Sequence, residues 1–151
     1  MYWTDIHTLR DIDDDRIAAA FAAAFGVSVS RIAVAPRSTQ EGLNAWGRPG
    51  LLALIQHGRD GEPGFDFPVT LAVGFPDDTF SVDNRPVLDM IARTLGEPML
   101  SNLPEDPPDT WRLFWPDGTS QPVSLDDDDN VILSEADRER LRRTSHHVAA
   151  A

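Results

Sequence analysis

FPVTLAVGF, residues 67–75, is the most regular stretch of the sequence. Its large apolar side chains, which alternate with small or polar ones, are Phe67, Val69, Leu71, Val73 and Phe75. A period of two over nine residues is typical of a β-strand that packs one face against a core. The smaller side chains between them indicate a second face that is more open to water, as in antiparallel sheets.

Two helical patterns lie on either side of this strand, at residues 13–26 and 82–96. Each pattern has apolar side chains at helical spacing and ends at a glycine, which is a common stop signal. Asp83 or Asn84 is the expected N-cap of the second helix. A third helix is predicted to begin at Ser134, whose hydroxyl can cap the first turn.

Short apolar runs bounded by turn residues predict the other strands, at residues 1–10, 30–36, 51–57, 110–125 (a hairpin) and 130–134. The glycine-rich residues 58–64 are expected to join two strands, and the turn-rich residues 36–50 to form a long loop.

The predicted order of elements, (β)αβββ-αβββ-α, indicates an α+β fold. We expect a mostly antiparallel sheet with two to three helices packed on one face, because each element must bury its apolar side. The length of 151 residues fits a single domain. We place that domain at residues 1–144 and expect residues 145–151 to form a frayed tail.

The composition is that of a globular protein, with 41% hydrophobic and 25% charged residues. The sequence has no cysteine, which excludes disulfides, thiolate metal sites and cysteine nucleophiles. No apolar run approaches the roughly 20 residues of a membrane span. Since the first residues are acidic rather than basic and then apolar, they do not form a signal peptide, and a cytoplasmic location is expected.

The net charge of −12 argues against nucleic acid or anionic membrane as a partner, because both bind clustered cations. Acidic residues are concentrated between Glu97 and Asn130, where nine of them accompany Arg112 alone. A surface of this kind favours association with a basic protein.

DDDDNVILSEAD, residues 126–137, resembles the calcium loop of EF-hand or dockerin-type proteins over these twelve residues. The resemblance implies a ligand set made of Asp126, Asp128, Asn130, the Ile132 carbonyl, Ser134 and Asp137. Val131 departs from it, because the sixth position of such loops is a glycine at a sharp turn. Calcium is therefore an alternative to a solvated acidic turn, and the missing glycine favours the turn.

No sequence pattern points to an established catalytic site. There is no G-x-S-x-G, no phosphate-binding glycine loop and no H-E-x-x-H. His7 and His57 fall on predicted strands without metal-ligand spacing. The sequence favours a protein without catalytic activity, and a small-ligand or catalytic site assembled from distant residues, such as His57 and an acid, remains an alternative.

Six residues are candidates for contact with a partner. Trp46 is an aromatic side chain in the predicted loop, and loop aromatics often anchor interfaces. Phe114 is expected opposite the core-facing Trp111 and Trp115. The acidic candidates are Glu105, Asp106, Asp127 and Asp129.

We therefore predict a non-catalytic, acidic protein-binding domain. In composition it looks like the small acidic immunity proteins with which bacteria neutralise toxins. In element order it resembles small secretion chaperones, which are acidic and dimeric, and this resemblance implies chaperone-like binding and leaves a homodimer open.

Overall fold

A computed structural model describes residues 2–59, 66–77 and 79–150, and the side chains of residues 3–59, 66–77 and 79–144. Most of the predicted glycine-rich connection at residues 58–64 therefore lies outside the described residues.

The described chain forms one seven-stranded sheet in the order β2-β3-β4-β1-β5-β6-β7. The strands are β1 (Tyr2–Thr8), β2 (Ile32–Pro36), β3 (Ala53–Arg59), β4 (Val69–Phe75), β5 (Met99–Ser101), β6 (Trp111–Phe114) and β7 (Ser120–Val123). The pair β2–β3 is parallel and the other neighbours are antiparallel. The prediction of an α+β fold with a mostly antiparallel sheet is confirmed.

The helices are α1 (Asp14–Phe25), α2 (Gln40–Trp46), α3 (Arg85–Leu95) and α4 (Glu135–Ala150). Gly26 and Gly96 end α1 and α3 in the left-handed conformation, with φ of 65° and 67°, as their sequence patterns predict. The N-cap of α3 is Asn84, whose side chain accepts a hydrogen bond from the Val87 N–H.

Helices α1 and α3 share one face of the sheet and pack against each other. The strand side chains that point to them include Ile6, Ile55 and Val73, which are fully buried against Phe21 and Ile91. This arrangement matches the expectation that two or three helices share one face. The regular alternation of β4 therefore does direct its large side chains into the main core.

The opposite face of the sheet carries α2 and α4. Along β5 and β6, Met99 and Phe114 belong to the main core, whereas their neighbours Leu100 and Leu113 belong to a second cluster. Leu141 of α4 closes this second cluster. Helix α2 covers β2 and β3 at the other end of the same face.

The prediction of a loop over residues 36–50 is wrong for residues 40–46, which form α2. The Thr39 side chain caps this helix by accepting a hydrogen bond from the Gly42 N–H. The helix has no apolar stripe, because Gly42 is the buried residue on it and Leu43 is 69% exposed. A helix that approaches a sheet through a glycine leaves no periodic signal in the sequence.

The prediction of a strand at residues 130–134 is also wrong. Val131 makes an isolated bridge with Leu125, and the three strands after α3 are the short β5, which the sequence did not predict, and then β6 and β7. Helix α4 continues to Ala150, beyond the end expected from the sequence. No glycine or proline follows Ser134, and alanine favours helix. None of the helices in the described ranges has the length and apolar character to cross a membrane.

Candidate functional site

Three of the nine acids between residues 97 and 130 form ion pairs with arginines of the same chain. Glu97 is 1% exposed and accepts hydrogen bonds from the Arg10 guanidinium. Asp117 lies 2.7 Å from Arg140 on the surface. Asp106 accepts two hydrogen bonds from Arg112, at 3.0 and 2.9 Å.

The Asp106–Arg112 pair is a structural ion pair. The side chains are 7% and 10% exposed, and Arg112 also donates to the Ser120 hydroxyl. The hydrogen bonds from Arg112 hold the pKa of Asp106 below its ordinary value. Asp106 therefore fixes the connector between β5 and β6 to the sheet. It also lines an open groove beside β7, and its role as a partner-binding residue stays a prediction.

The other six acids of this region are exposed and form no ion pair in the described part of the chain: Glu105, Asp109 and Asp126 to Asp129. They lie in two segments, the connector after β5 and the turn after β7. These two segments flank an open groove of about 590 Å³. The groove places an apolar surface beside uncompensated negative charge.

Side chains from both segments line the groove. Pro107 and Thr110 come from the connector, Pro122 and Val123 from β7, and Ile132 from the segment before α4. Ile132 is 58% exposed, and it shares the groove with apolar and small side chains and with the Asp106–Arg112 pair. An exposed aliphatic side chain in such a groove is a candidate apolar contact for a partner.

The edge of β7 along this groove is unsuited to the addition of a further strand. The Trp115 N–H donates to the Thr119 carbonyl, so the alternation of an antiparallel pair turns the backbone groups of Ser120 and Pro122 outward. Pro122 has no N–H to donate there. Proline at this position is a known protection of sheet edges, and the groove therefore contacts a partner through side chains.

Phe114 is fully buried in the main core, and its predicted role in partner binding is wrong. The alternation of β6 correctly puts Phe114 and Arg112 opposite Leu113. Helix α3 packs against β6, and both residues are buried. The indole of Trp115, on the other side, is 1% exposed and lies under the Arg140 guanidinium, 4.0 Å from the ring centroid.

Trp46 stacks on Trp3 of β1, with ring centroids 5.2 Å apart and an angle of 20° between planes. Trp3 lies directly over Gly74 of β4, where a Cβ atom would come within 2.7 Å of its ring. Trp46 is half-buried in this stack, and Trp3 remains 38% exposed. The pair forms an aromatic surface that neither position reveals in the sequence.

The acidic turn is held by its own hydrogen bonds. Asp126 Oδ1 accepts from the backbone N–H groups of Asp128 and Asn130. The residue with positive φ is Asp129, at 61°, whereas a calcium loop makes its sharp turn at the position of Val131. Val131 is instead buried and donates its N–H to Asp66.

The other predicted calcium ligands differ in their surroundings and contacts. Asp128 is exposed, Asp137 accepts a hydrogen bond from Gln121, and the Asn130 amide oxygen is buried with no hydrogen-bond partner in the described chain. Within the described residues, no cluster of three or more histidine or acidic side chains is arranged to hold a metal ion. Calcium binding at residues 126–137 stays a prediction.

The histidines lie on opposite faces of the sheet. His57 Nε2 is 2.9 Å from Asp14 Oδ1, in a direction that does not make a hydrogen bond, and Asp14 is half-exposed. His7 is buried, contacts the Thr70 hydroxyl at 3.1 Å and meets the edge of Trp111. The structure does bring His57 to an acid, and a catalytic or small-ligand site at this pair stays an alternative prediction.

Sequence reasoning missed the roles of two residues. Ile132 lies in an apolar run that predicts a strand, and Asp83 is one of two expected caps of α3, of which Asn84 takes the role. Comparisons of the chain with protein-family models, curated proteins and solved structures find no match.

Proposed function

We propose that this protein is a non-catalytic binding domain that recognises a basic protein through the groove between the β5–β6 connector and the turn after β7. The observation that carries the proposal is the groove itself. Its lining combines apolar side chains with the Asp106–Arg112 pair, and the two segments that flank it carry exposed carboxylates that form no ion pair in the described part of the chain. A cytoplasmic location belongs to the same proposal.

The charge distribution supports a basic partner. Glu105 and Asp109 belong to the connector, Asp126 to Asp129 belong to the turn, and all six are exposed. A cationic partner gains from both segments during approach, and this attraction acts mainly on the association rate. Ile132 supplies the apolar contact that slows dissociation once the charges have met.

The rigidity of the groove also supports the proposal. The Asp106–Arg112 pair anchors the connector, and the hydrogen bonds that Asp126 Oδ1 accepts anchor the turn. A groove with preformed walls loses little conformational entropy on binding. Stoichiometric inhibitors of the immunity type and chaperone-like binders both use such surfaces, and the proposal covers both kinds of activity, with or without a homodimer.

The first test is a selection of random peptides of about a dozen residues on the immobilised chain. We expect the enriched peptides to be basic and to contain an aliphatic or aromatic residue. Enrichment of neutral or acidic sequences would contradict the proposal.

The second test measures how fast a selected basic peptide associates with two variants of equal charge. In the groove variant, Asp127→Asn and Asp129→Asn spare Asp126, which holds the turn, and asparagine tolerates the positive φ of residue 129. In the control variant, Asp15→Asn and Glu41→Gln change exposed residues on α1 and α2, near the opposite edge of the sheet.

We expect the groove variant to lower the association rate at low salt by roughly threefold, and the control variant to lower it much less. Equal reductions in both variants would show that net charge alone attracts the peptide, and the groove would then not be the site.

A further inference from the structure

A second opening lies on the other side of the β5–β6 connector, where β5 leaves the sheet. Strand β5 pairs only with His7 and Thr8 of β1, whereas β4 pairs with β1 along its whole length. The segment Trp3–Asp5 therefore has a strand neighbour on one side alone in the described chain. The space beside it is a notch of about 380 Å³ lined by Trp3, Thr4, Asp5, Asp83, Asn102, Leu103 and Pro104.

The backbone of β1 is oriented to pair with a strand in this notch. In the β6–β7 ladder, the backbone N–H and C=O groups of Leu113 point toward β7 and away from β5. The backbone groups of Leu100 in β5 therefore point toward β1, where they exchange hydrogen bonds with those of His7. The same alternation points the N–H and C=O groups of Trp3 and Asp5 into the notch. Among the described residues, the Ser101 hydroxyl donates a hydrogen bond to the Asp5 carbonyl.

Carboxylates lie on both faces of this strand edge. Asp5 is exposed on the face of the Trp3–Trp46 stack. Asp83 is half-buried on the other face, accepts a hydrogen bond from the Thr4 hydroxyl at 3.4 Å and forms no ion pair with the described residues. Burial raises the pKa of Asp83 because it removes the carboxylate from water. Whichever face a basic side chain of an added strand takes, it meets a carboxylate.

We infer that the notch beside Trp3–Asp5 binds a short, extended, basic segment of a partner protein by adding it to β1 as a strand. Backbone hydrogen bonds to Trp3 and Asp5 supply the pairing, Asp5 and Asp83 select Lys or Arg, and the Trp3–Trp46 stack contacts an apolar side chain. The notch shares no lining residue with the groove of the proposed function, so the two sites are tested separately.

The probe is the capped peptide Val-Arg-Val-Arg-Val-Arg-Val, whose alternation suits an added strand. Its controls are the same peptide with alternate backbone nitrogens methylated, which keeps the charge but blocks pairing, and the peptide with Glu in place of Arg. Binding to the full chain is followed by NMR, with hydrogen exchange of the Trp3 and Asp5 amides as the site-specific signal.

We expect the parent peptide to protect both amides from exchange, the methylated peptide to bind about tenfold more weakly, and the Glu peptide not to bind. Asp83→Asn should weaken the parent peptide by about fivefold, because the hydrogen bond from Thr4 survives and only the charge is lost. The groove variant Asp127→Asn/Asp129→Asn should leave this affinity within about twofold, since its residues are outside the notch.

Three results would overturn the inference: no binding of the parent peptide at about millimolar concentration, equal affinity of the methylated peptide, or protection that falls on the groove instead of Trp3 and Asp5. The last result would still leave the proposed function standing, because it would place the basic peptide in the groove.

Discussion

Asp106 and Arg112 form the most enclosed ion pair among the described residues of the acidic region. Asp106→Asn leaves Arg112 buried without a full counter-charge, and we expect the free energy of unfolding at neutral pH to fall by about 3 kcal/mol. Urea denaturation measures the change, with Asp109→Asn as the control, because Asp109 lies exposed on the same connector. A loss no larger than that of the control would mean that the pair is not a structural one.

The same pair gives a pH dependence with a definite sign. The folded pKa of Asp106 is below the ordinary aspartate value of 3.8, so the unfolded chain takes up the proton first as the pH falls. The stability from this group is fully present above about pH 3.8 and is lost as the pH falls through the folded pKa. The difference in the free energy of unfolding between the wild type and Asp106→Asn should therefore become smaller below that pH.

Gly74 holds the Trp3–Trp46 stack in place. A methyl group on Gly74 would overlap the Trp3 ring, so Gly74→Ala should displace Trp3 and cost about 1–3 kcal/mol. Near-ultraviolet circular dichroism reports the loss of the stack. Gly58→Ala is the matched control, because its Cβ would meet Arg37 at an ordinary 3.6 Å, and an unchanged spectrum in Gly74→Ala would argue against the stacked geometry.

Prediction from sequence succeeded where the local pattern of residues determines the structure. It failed where contacts with distant parts of the chain determine it. The alternation of Val69 to Phe75 found β4, and the glycines after α1 and α3 found their ends. Parity along β6 separated Phe114 from Trp115 correctly, but it could not show that α3 covers the Phe114 side. The charge count located the acidic region, yet the pairing of Asp106 with Arg112 depends on the fold of the connector.

Among the longer elements, α4 depends on few apolar contacts. Leu141 is its buried member of the second cluster, and the remaining contacts are polar, such as those of Asp137 with Gln121 and Arg140 with Asp117. Leu141→Ala should cost about 3 kcal/mol and should speed hydrogen exchange in residues 135–144 before it does so in α1. Leu43→Ala, at an exposed position of α2, is the control, and equal exchange in α1 and α4 would contradict this expectation.

The turn between β7 and α4 allows a direct test of the calcium alternative. Asp126 Oδ1 already accepts two backbone hydrogen bonds, and the sharp bend falls at Asp129 rather than Val131. We therefore expect millimolar calcium to change the melting temperature no more than magnesium does. A rise with calcium alone would show that the turn rearranges to bind the ion, since a ligand stabilises the state that binds it.

The whole molecule carries a net charge of −12, and this charge repels itself in the folded state. Salt shortens the range of that repulsion to about 8 Å at physiological ionic strength. We expect the melting temperature to rise as sodium chloride is added from low salt to about 0.15 M. A fall over this range would mean that attractive ion pairs, such as Glu97 with Arg10, outweigh the repulsion.

The position of β1 has a consequence for the order in which the chain can fold. Strand β1 lies in the middle of the sheet, and its partners are residues 69–75 and 99–100. Its first neighbour is complete only when the ribosome has added residue 75, and its second only when residue 100 has been added. Long-range pairing of this kind slows folding, and a nascent chain with an unpaired apolar strand is open to wrong associations during synthesis. The strand at the centre of the finished sheet is thus synthesised before both of its neighbours and stays unpaired until they follow.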